Sequence, residues 1–250
     1  MPDFERLAAK LLRPGGIYTL TGAGGKSTAL RVFSRALARK GIRCGMTTTT
    51  RIGMEEFAAF PVVIQDAAEG AAKALCGAQP VCLVVSAAIP EQGKYRGIEP
   101  SVFDSLSVSA DLVVLVEGDG SRRRPLKVPT AREPVVPAAS AAVLAVMGAA
   151  GFGERVDQEH CYNHEAAAAI LPPGTGVFDA AALAALAKHP AGCRKGVMPG
   201  MEFHVLLNQG DLESKKPISA QVFEILAGMP GIHVTLLSLE REVVYETTEL

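Results

Sequence analysis

Residues 19–30, TLTGAGGKSTAL, bring three glycines, a lysine and the hydroxyls of Ser27 and Thr28 between an apolar run and a segment that reads as a helix. A full phosphate-binding loop has the form G-x-x-x-x-G-K-[ST]. Counting back from Gly25-Lys26-Ser27 puts Leu20 where the first glycine belongs. The chemistry survives the missing glycine. Backbone N–H groups around Gly22, Ala23, Gly24 and Gly25 can converge on phosphate oxygens, with Thr28 on the first helical turn and the positive helix end behind them. Lys26, expected at the solvent edge, would neutralise phosphate charge, and the Ser27 hydroxyl would ligate Mg²⁺.

Three further groups follow predicted strands, where an open parallel sheet binds its ligands, and a weaker fourth lies away from them. Thr47 to Arg51, TTTTR, could offer hydroxyls to a metal-bound water or a γ-phosphate, with Thr48 the candidate metal ligand; threonines are equally at home as plain strand residues. DLVVLVEGDGSRRRPLK carries Glu117 and Asp119 to a strand end, where acids hold Mg²⁺ or orient a nucleophile. Arg122, Arg123, Arg124 and Lys127 come next, as a solvated turn or as a clamp on an anion. Asn208 and Asp211 in VLLNQGD have the spacing of a base-reading Asn-Lys-x-Asp motif, with Gln209 in place of the lysine, and a polar turn accounts for them as well. His160, Cys161 and His164 could bind a soft metal, although three such residues so close together more often decorate a helix start.

Positioning these groups takes an α/β framework. Short β-rich runs (16–21, 42–50, 61–65, 81–89, 111–117, 141–148, 203–208 and 231–239) alternate with helical segments at 26–41 and near 67–76, 100–107, 179–189 and 217–228. That pattern predicts a three-layer sandwich around a mostly parallel sheet. RRRPLKVPTAREPVVP has prolines at 125, 129, 134 and 137 and little periodicity, so it reads as a surface loop or linker. One domain over 1–250 is expected, with 122–137 the place where it would divide.

Composition narrows the partners. With 48% hydrophobic residues and a formal net charge of -1, the chain can bury a large core and has no long-range field for nucleic acid or an anionic membrane. Its five cysteines include no C-x-x-C pair, so neither a zinc knuckle nor a disulfide frame is indicated. The N-terminal residues lack a signal-peptide layout and no run reaches the roughly 20 apolar residues of a membrane span, so a cytoplasmic protein with a small ligand is expected.

LTGAGGKST, TTTTR, GKYRGIEPSVFDSL, DLVVLVEGDGSRRRPLKVPTAREPVVP, VMGAAGFGERV and LLNQGD together resemble the YqeC-type family, described as selenium-dependent hydroxylase accessory proteins. The resemblance runs over most of the chain, and its most specific part is the acid-Asp-Gly segment followed by Pro-Leu-Lys-x-Pro and Glu-Pro-x-x-Pro. It implies a P-loop NTPase-like fold, use of ATP or GTP with Mg²⁺, and a role in maturing a molybdenum hydroxylase that carries selenium. It maps the loop to Gly22, Gly24, Gly25, Lys26 and Ser27, the acids to Glu117 and Asp119, and the basic-proline segment to Arg124, Pro125, Lys127 and Glu133. The chain departs from the family with Gly118 in place of alanine and with Asn-Gln at 208–209, which weighs against guanine selectivity. TGAGGKST is also similar to the loop of Mur-type ligases, which begins one residue late and still binds ATP. Three activities stay open: an NTPase acting as a switch, a phosphotransferase or Mur-like ligase for a small anionic substrate, and a scaffold that binds nucleotide without turnover.

Overall fold

The computed structural model describes residues 3–77 and 79–248. In chain order the strands are β1 (Ile17–Gly22), β2 (Arg43–Thr48), β3 (Arg51–Gly53), β4 (Val62–Ile64), β5 (Val81–Val85), β6 (Ala87–Ile89), β7 (Lys94–Arg96), β8 (Leu112–Glu117), β9 (Leu126–Lys127), β10 (Ser140–Gly148), β11 (Cys161–Tyr162), β12 (Glu202–Asn208), β13 (His233–Ser238) and β14 (Val243–Thr247). The α-helices are α1 (Phe4–Leu11), α2 (Lys26–Arg39), α3 (Ala68–Leu75), α4 (Ala180–Lys188) and α5 (Lys216–Ala227).

Nine strands form the central sheet in the order β14-β13-β12-β10-β1-β8-β2-β5-β4. Every pairing is parallel except that of β13 with the edge strand β14. A parallel sheet needs both faces covered, which is why its strands read as near-continuous apolar runs. One face packs Leu20, Met46, Leu115 and Leu144 under α1 and α2. The other is covered in two parts. Val143, Ala145, Phe203 and Val205 lie against α4 and α5, while Val84, Val114 and Val116 lie against α3 and the turn at Val102–Phe103. The result is the three-layer α/β arrangement expected from the sequence.

Several local features differ from the sequence reading. α1 was not expected, although Phe4, Leu7, Ala8 and Leu11 are spaced as one helical stripe and the Asp3 carboxylate caps the helix by accepting the Glu5 N–H at 3.0 Å. Phe4 stacks on Phe33 of α2 with ring centroids 5.5 Å apart. The 81–89 run is two strands in two sheets, broken at Ser86, whose hydroxyl donates to the Gly97 carbonyl at 2.7 Å. The expected helix near 100–107 is a 3₁₀ segment, Pro100–Ser105, opened by its proline. The 122–137 stretch is not the surface linker its prolines suggested. Leu126, Lys127 and Val128 are buried, and β9 pairs in parallel with β11. Prolines punctuate here without marking exposure.

Register brings the tips of the strands to one edge. Leu20 and Thr48 are both level with Glu117, Gly22 is level with Val146, and Gly148 with Asn208. The glycine turn, Glu117, Thr48 and Asn208 therefore leave the sheet at its carboxyl edge, from β1, β8, β2 and β12.

Candidate active site

The turn from β1 into α2 is shaped by glycines pressed against neighbouring backbone. Gly24 has φ +82, and a Cβ there would lie 2.7 Å from the Pro125 carbonyl oxygen and closer still to Gly148. Gly25 has φ +138 and would press its Cβ onto the Asn208 amide. No other residue combines that conformation with that proximity. The turn delivers Lys26 and Ser27 as the first residues of α2, whose amides point out of the sheet edge.

Asp119 ties the turn together. Its carboxylate accepts the Gly22 N–H at 3.1 Å and faces two ammonium groups, Lys26 Nζ at 3.3 Å and Lys127 Nζ at 3.0 Å. Lys26 also donates to the Gly22 carbonyl at 2.5 Å. Lys127 donates to Gly120 O at 2.6 Å and to Glu133 at 2.7 Å. All three side chains are almost wholly buried, with Lys26 3% and Lys127 0% exposed. Lys26 is thus no solvent-edge lysine, and Lys127 is no mobile clamp: buried charges need partners, and these have them. Asp119 is not among the residues lining the cavity, and its Oδ1, 3.3 Å from the Lys26 ammonium, accepts no hydrogen bond.

Glu117, two residues earlier, has different surroundings. The Ser27 hydroxyl donates to its Oε2 at 3.1 Å. Burial pushes its carboxyl up to about 7, with Asp119 and Glu56 adding to the rise and Lys26 and Ser27 opposing it. Ser27 and Glu117 line a cavity of about 590 Å³, together with Gly24, Gly25, Lys26 and Thr28. A hydroxyl and a carboxylate oxygen so close together are hard donors suited to Mg²⁺, which completes its shell with phosphate oxygens and water.

The rest of the cavity wall was only partly legible in the sequence. The small antiparallel sheet β3-β7-β6 contributes Arg51, Glu56 from the turn after β3, and Lys94. Arg31 of α2 and Arg122, Arg123 and Arg124 also line it. Seven basic residues against Glu56 and Glu117 make the cavity strongly positive in a chain of net charge -1. Arg31 Nε and Glu56 Oε2 are buried without a hydrogen-bond partner. Buried polar atoms are usually paired, so both suit a bound polar ligand. For Lys94 the available signal was the hairpin in AAIPEQGKYRG, with Gly93 in the left-handed region. Glu56 had none beyond its nearness to TTTTR.

Other candidates are occupied elsewhere. Thr48 donates to the Glu117 carbonyl at 3.0 Å and accepts from Thr50 N–H, while Thr47 donates to Val84 O at 2.7 Å. Neither lines the cavity; both brace strand ends. Ala23 is buried, its N–H donating to Val146 O at 2.9 Å. The Asn208 amide donates to Gly24 O at 2.8 Å and its oxygen accepts from Leu239 N–H at 2.9 Å, so it props up the glycine turn. Asp211 pairs with Arg241 at 3.0 Å. His160 lies 2.9 Å from Asp157, and burial pushes the Cys161 thiol up to about 12, away from the thiolate a soft metal needs. Among the described residues no group of three or more His, Cys, Asp or Glu is arranged to hold a metal ion.

A family model described as YqeC protein matches residues 18–165, which spans the glycine turn, the acids, the arginines and β11. The chain belongs to the YqeC family. The Escherichia coli (strain K12) member, named "Uncharacterized protein YqeC", is 34% identical over 188 residues, covering 74% of this chain and 72% of that one. No solved structure matches. The family match ends before Asn208 and Asp211, so the residues it encloses are those that build the cavity. No helix among the described residues is long and apolar enough to cross a membrane.

Proposed function

We propose that this chain binds ATP or GTP with Mg²⁺ and acts as an accessory protein in the maturation of a selenium-dependent molybdenum hydroxylase. The observation that carries the nucleotide part is the juxtaposition at the sheet edge. A glycine turn opens a helix, a lysine and a serine stand on its first turn, and the serine hydroxyl meets a strand-terminal glutamate at 3.1 Å inside a basic cavity. The amides of Gly24 to Ser27 would receive phosphate oxygens, and Lys26 would neutralise them. Ser27 and Glu117 would hold Mg²⁺, which when bound draws charge from the phosphates. Arg31, Arg51 and Lys94 are within the same wall and can orient the phosphate chain. Asn208 and Asp211 are engaged with the protein itself, so nothing favours guanine over adenine. The hydroxylase role comes from family resemblance alone, and the partner would be the hydroxylase or its cofactor; no role for nucleic acid or a membrane is proposed.

A thermal-shift panel tests the reading. At 100 times its dissociation constant a nucleotide adds roughly 2.7 kcal/mol to stability. The expected result is a rise with Mg²⁺–ATP or Mg²⁺–GTP, with Ser27→Ala losing more of the Mg²⁺-dependent part than of the metal-free part. No shift with any nucleotide would sink the proposal.

A further inference from the structure

Next to the nucleotide cavity lies a second of about 240 Å³, lined by Arg122, Arg124, Gln158, Tyr162 and His164 among others. Arg122 and Arg124 line both cavities. The pairing of β9 with β11 is the reason. Leu126 N–H donates to His160 O at 3.1 Å and Val128 N–H to Tyr162 O at 3.0 Å, so residues 160–164 are stitched alongside the arginine turn.

The two arginines are arranged for a ligand. Arg124 is half-buried, yet it has no ion pair among the described residues, whereas Lys127, three positions on, meets two carboxylates. A partly desolvated cation without a counter-charge costs free energy that an external anion would recover. Arg122 sits at φ +49, a conformation costing roughly 1–2 kcal/mol for a residue with a side chain. Its guanidinium lies 5.2 Å from the Tyr162 ring centroid, so the ring holds the fork in place and leaves its N–H edge free. Asn163 is also left-handed, and its amide donates to Val128 O and Pro129 O, which fixes the wall. Gln158 and His164 add hydrogen-bonding groups, and the one acid is the exposed Glu165, whose Oε2 lies 3.6 Å from His164 Nδ1. The space far exceeds that of a single water and has room for an oxyanion on a short polar body.

We propose that this cavity is a second-substrate site. It takes a small polar molecule through a phosphate or carboxylate group, held by Arg122 and Arg124 beside the terminal phosphate of the nucleotide. The substrate role rests on the nucleotide reading above; the anion site stands on its own geometry. The test is calorimetry on the full chain saturated with Mg²⁺ and a non-hydrolysable ATP analogue, titrated with inorganic phosphate in one arm and acetate in the other. At least one anion is expected to bind, and the tighter of the two identifies the group recognised. Gln158→Glu places a negative charge in this cavity alone, at an exposed position that folding tolerates. It should weaken the anion at least tenfold and change analogue affinity less than about twofold; Arg124→Ala should also weaken the anion. Binding of neither anion, or anion affinity indifferent to Gln158→Glu, would overturn the site. If the analogue fails to bind while phosphate binding by the free protein still drops in Gln158→Glu, the nucleotide reading falls and the anion site remains.

Discussion

Glu117→Gln should stabilise the metal-free protein at alkaline pH and leave it nearly unchanged in acid. In the folded chain burial raises the Glu117 carboxyl from 4.5 to about 7. A carboxyl raised on folding contributes stability that is full below its unfolded pKa and is lost as pH rises through the folded value. Below pH 4.5 both states hold the proton and the wild type resembles the glutamine variant, since Gln can accept the Ser27 hydroxyl as the protonated acid does. Between pH 4.5 and 7 the unfolded chain releases its proton first, and the folded chain comes to hold a buried charge at a disadvantage. At 1.36 kcal/mol per pKa unit the accumulated penalty by pH 8 is about 3 kcal/mol. Urea unfolding of both proteins in chelator measures it. The variant should exceed the wild type by about 3 kcal/mol at pH 8 and by less than about 0.5 kcal/mol at pH 4.5, with other titrating groups cancelling in the comparison. For a chain of this size that corresponds to a melting difference of at least about 6 °C at pH 8. A difference that does not change with pH would refute the reasoning, because it would mean that Glu117 folds with its ordinary affinity for protons.

Lys127→Ala should destabilise the fold by about 3–5 kcal/mol, the cost of breaking a buried ion pair, because it withdraws the ammonium from both Asp119 and Glu133; denaturant unfolding within about 0.5 kcal/mol of wild type would show that those carboxylates are satisfied without it. Gly24→Ala should abolish nucleotide-induced thermal shifts and lower stability by more than about 1 kcal/mol, since the new Cβ meets Gly148 and Pro125 backbone in a conformation alanine avoids. A wild-type shift in that variant would mean that the turn relaxes without loss of function.

What the sequence made legible follows from how locally each feature is encoded. The glycine turn, Lys26, Ser27 and the strand-terminal Glu117 are fixed by neighbours in the chain: an apolar strand, a special backbone conformation, a helix start. Their place at the sheet edge could be read from that order. Arg51 and Lys94 reach the cavity through β3 and β7, strands of only three residues whose pairing spans a loop, and such short strands leave little periodicity. The burial of Lys127 was hidden for another reason. Lysine after a run of arginines reads as solvated, and only the long-range pairing of β9 with β11 and the presence of Asp119 and Glu133 make it an interior residue. Asn208 shows the converse: its spacing suggested base reading, but its amide is engaged by Gly24 and Leu239, contacts that no local pattern reports.

The buried lysine pair also changes what the acid after the strand is expected to do. A carboxylate in that position invites the role of metal ligand, but Asp119 already holds Gly22 N–H, Lys26 and Lys127, and it does not line the cavity. A phosphate that recruits Lys26 must draw the ammonium away from Asp119 or share it, so part of the binding free energy is spent against an interaction present in the free protein. Asp119→Asn removes that competition, leaving Lys26 without a carboxylate and Lys127 with Glu133 alone behind the glycine turn. The expected outcome is a split: lower stability, by about 3 kcal/mol as for other broken buried pairs, together with nucleotide affinity equal to or above that of the wild type. Calorimetric titration with Mg²⁺–ATP at a temperature where the variant is folded measures the second part. A metal ligand would behave oppositely, losing Mg²⁺-dependent affinity when its charge is removed, so a variant that folds and binds metal-free ATP normally but Mg²⁺–ATP at least tenfold more weakly would return Asp119 to the metal and displace it from the lysines.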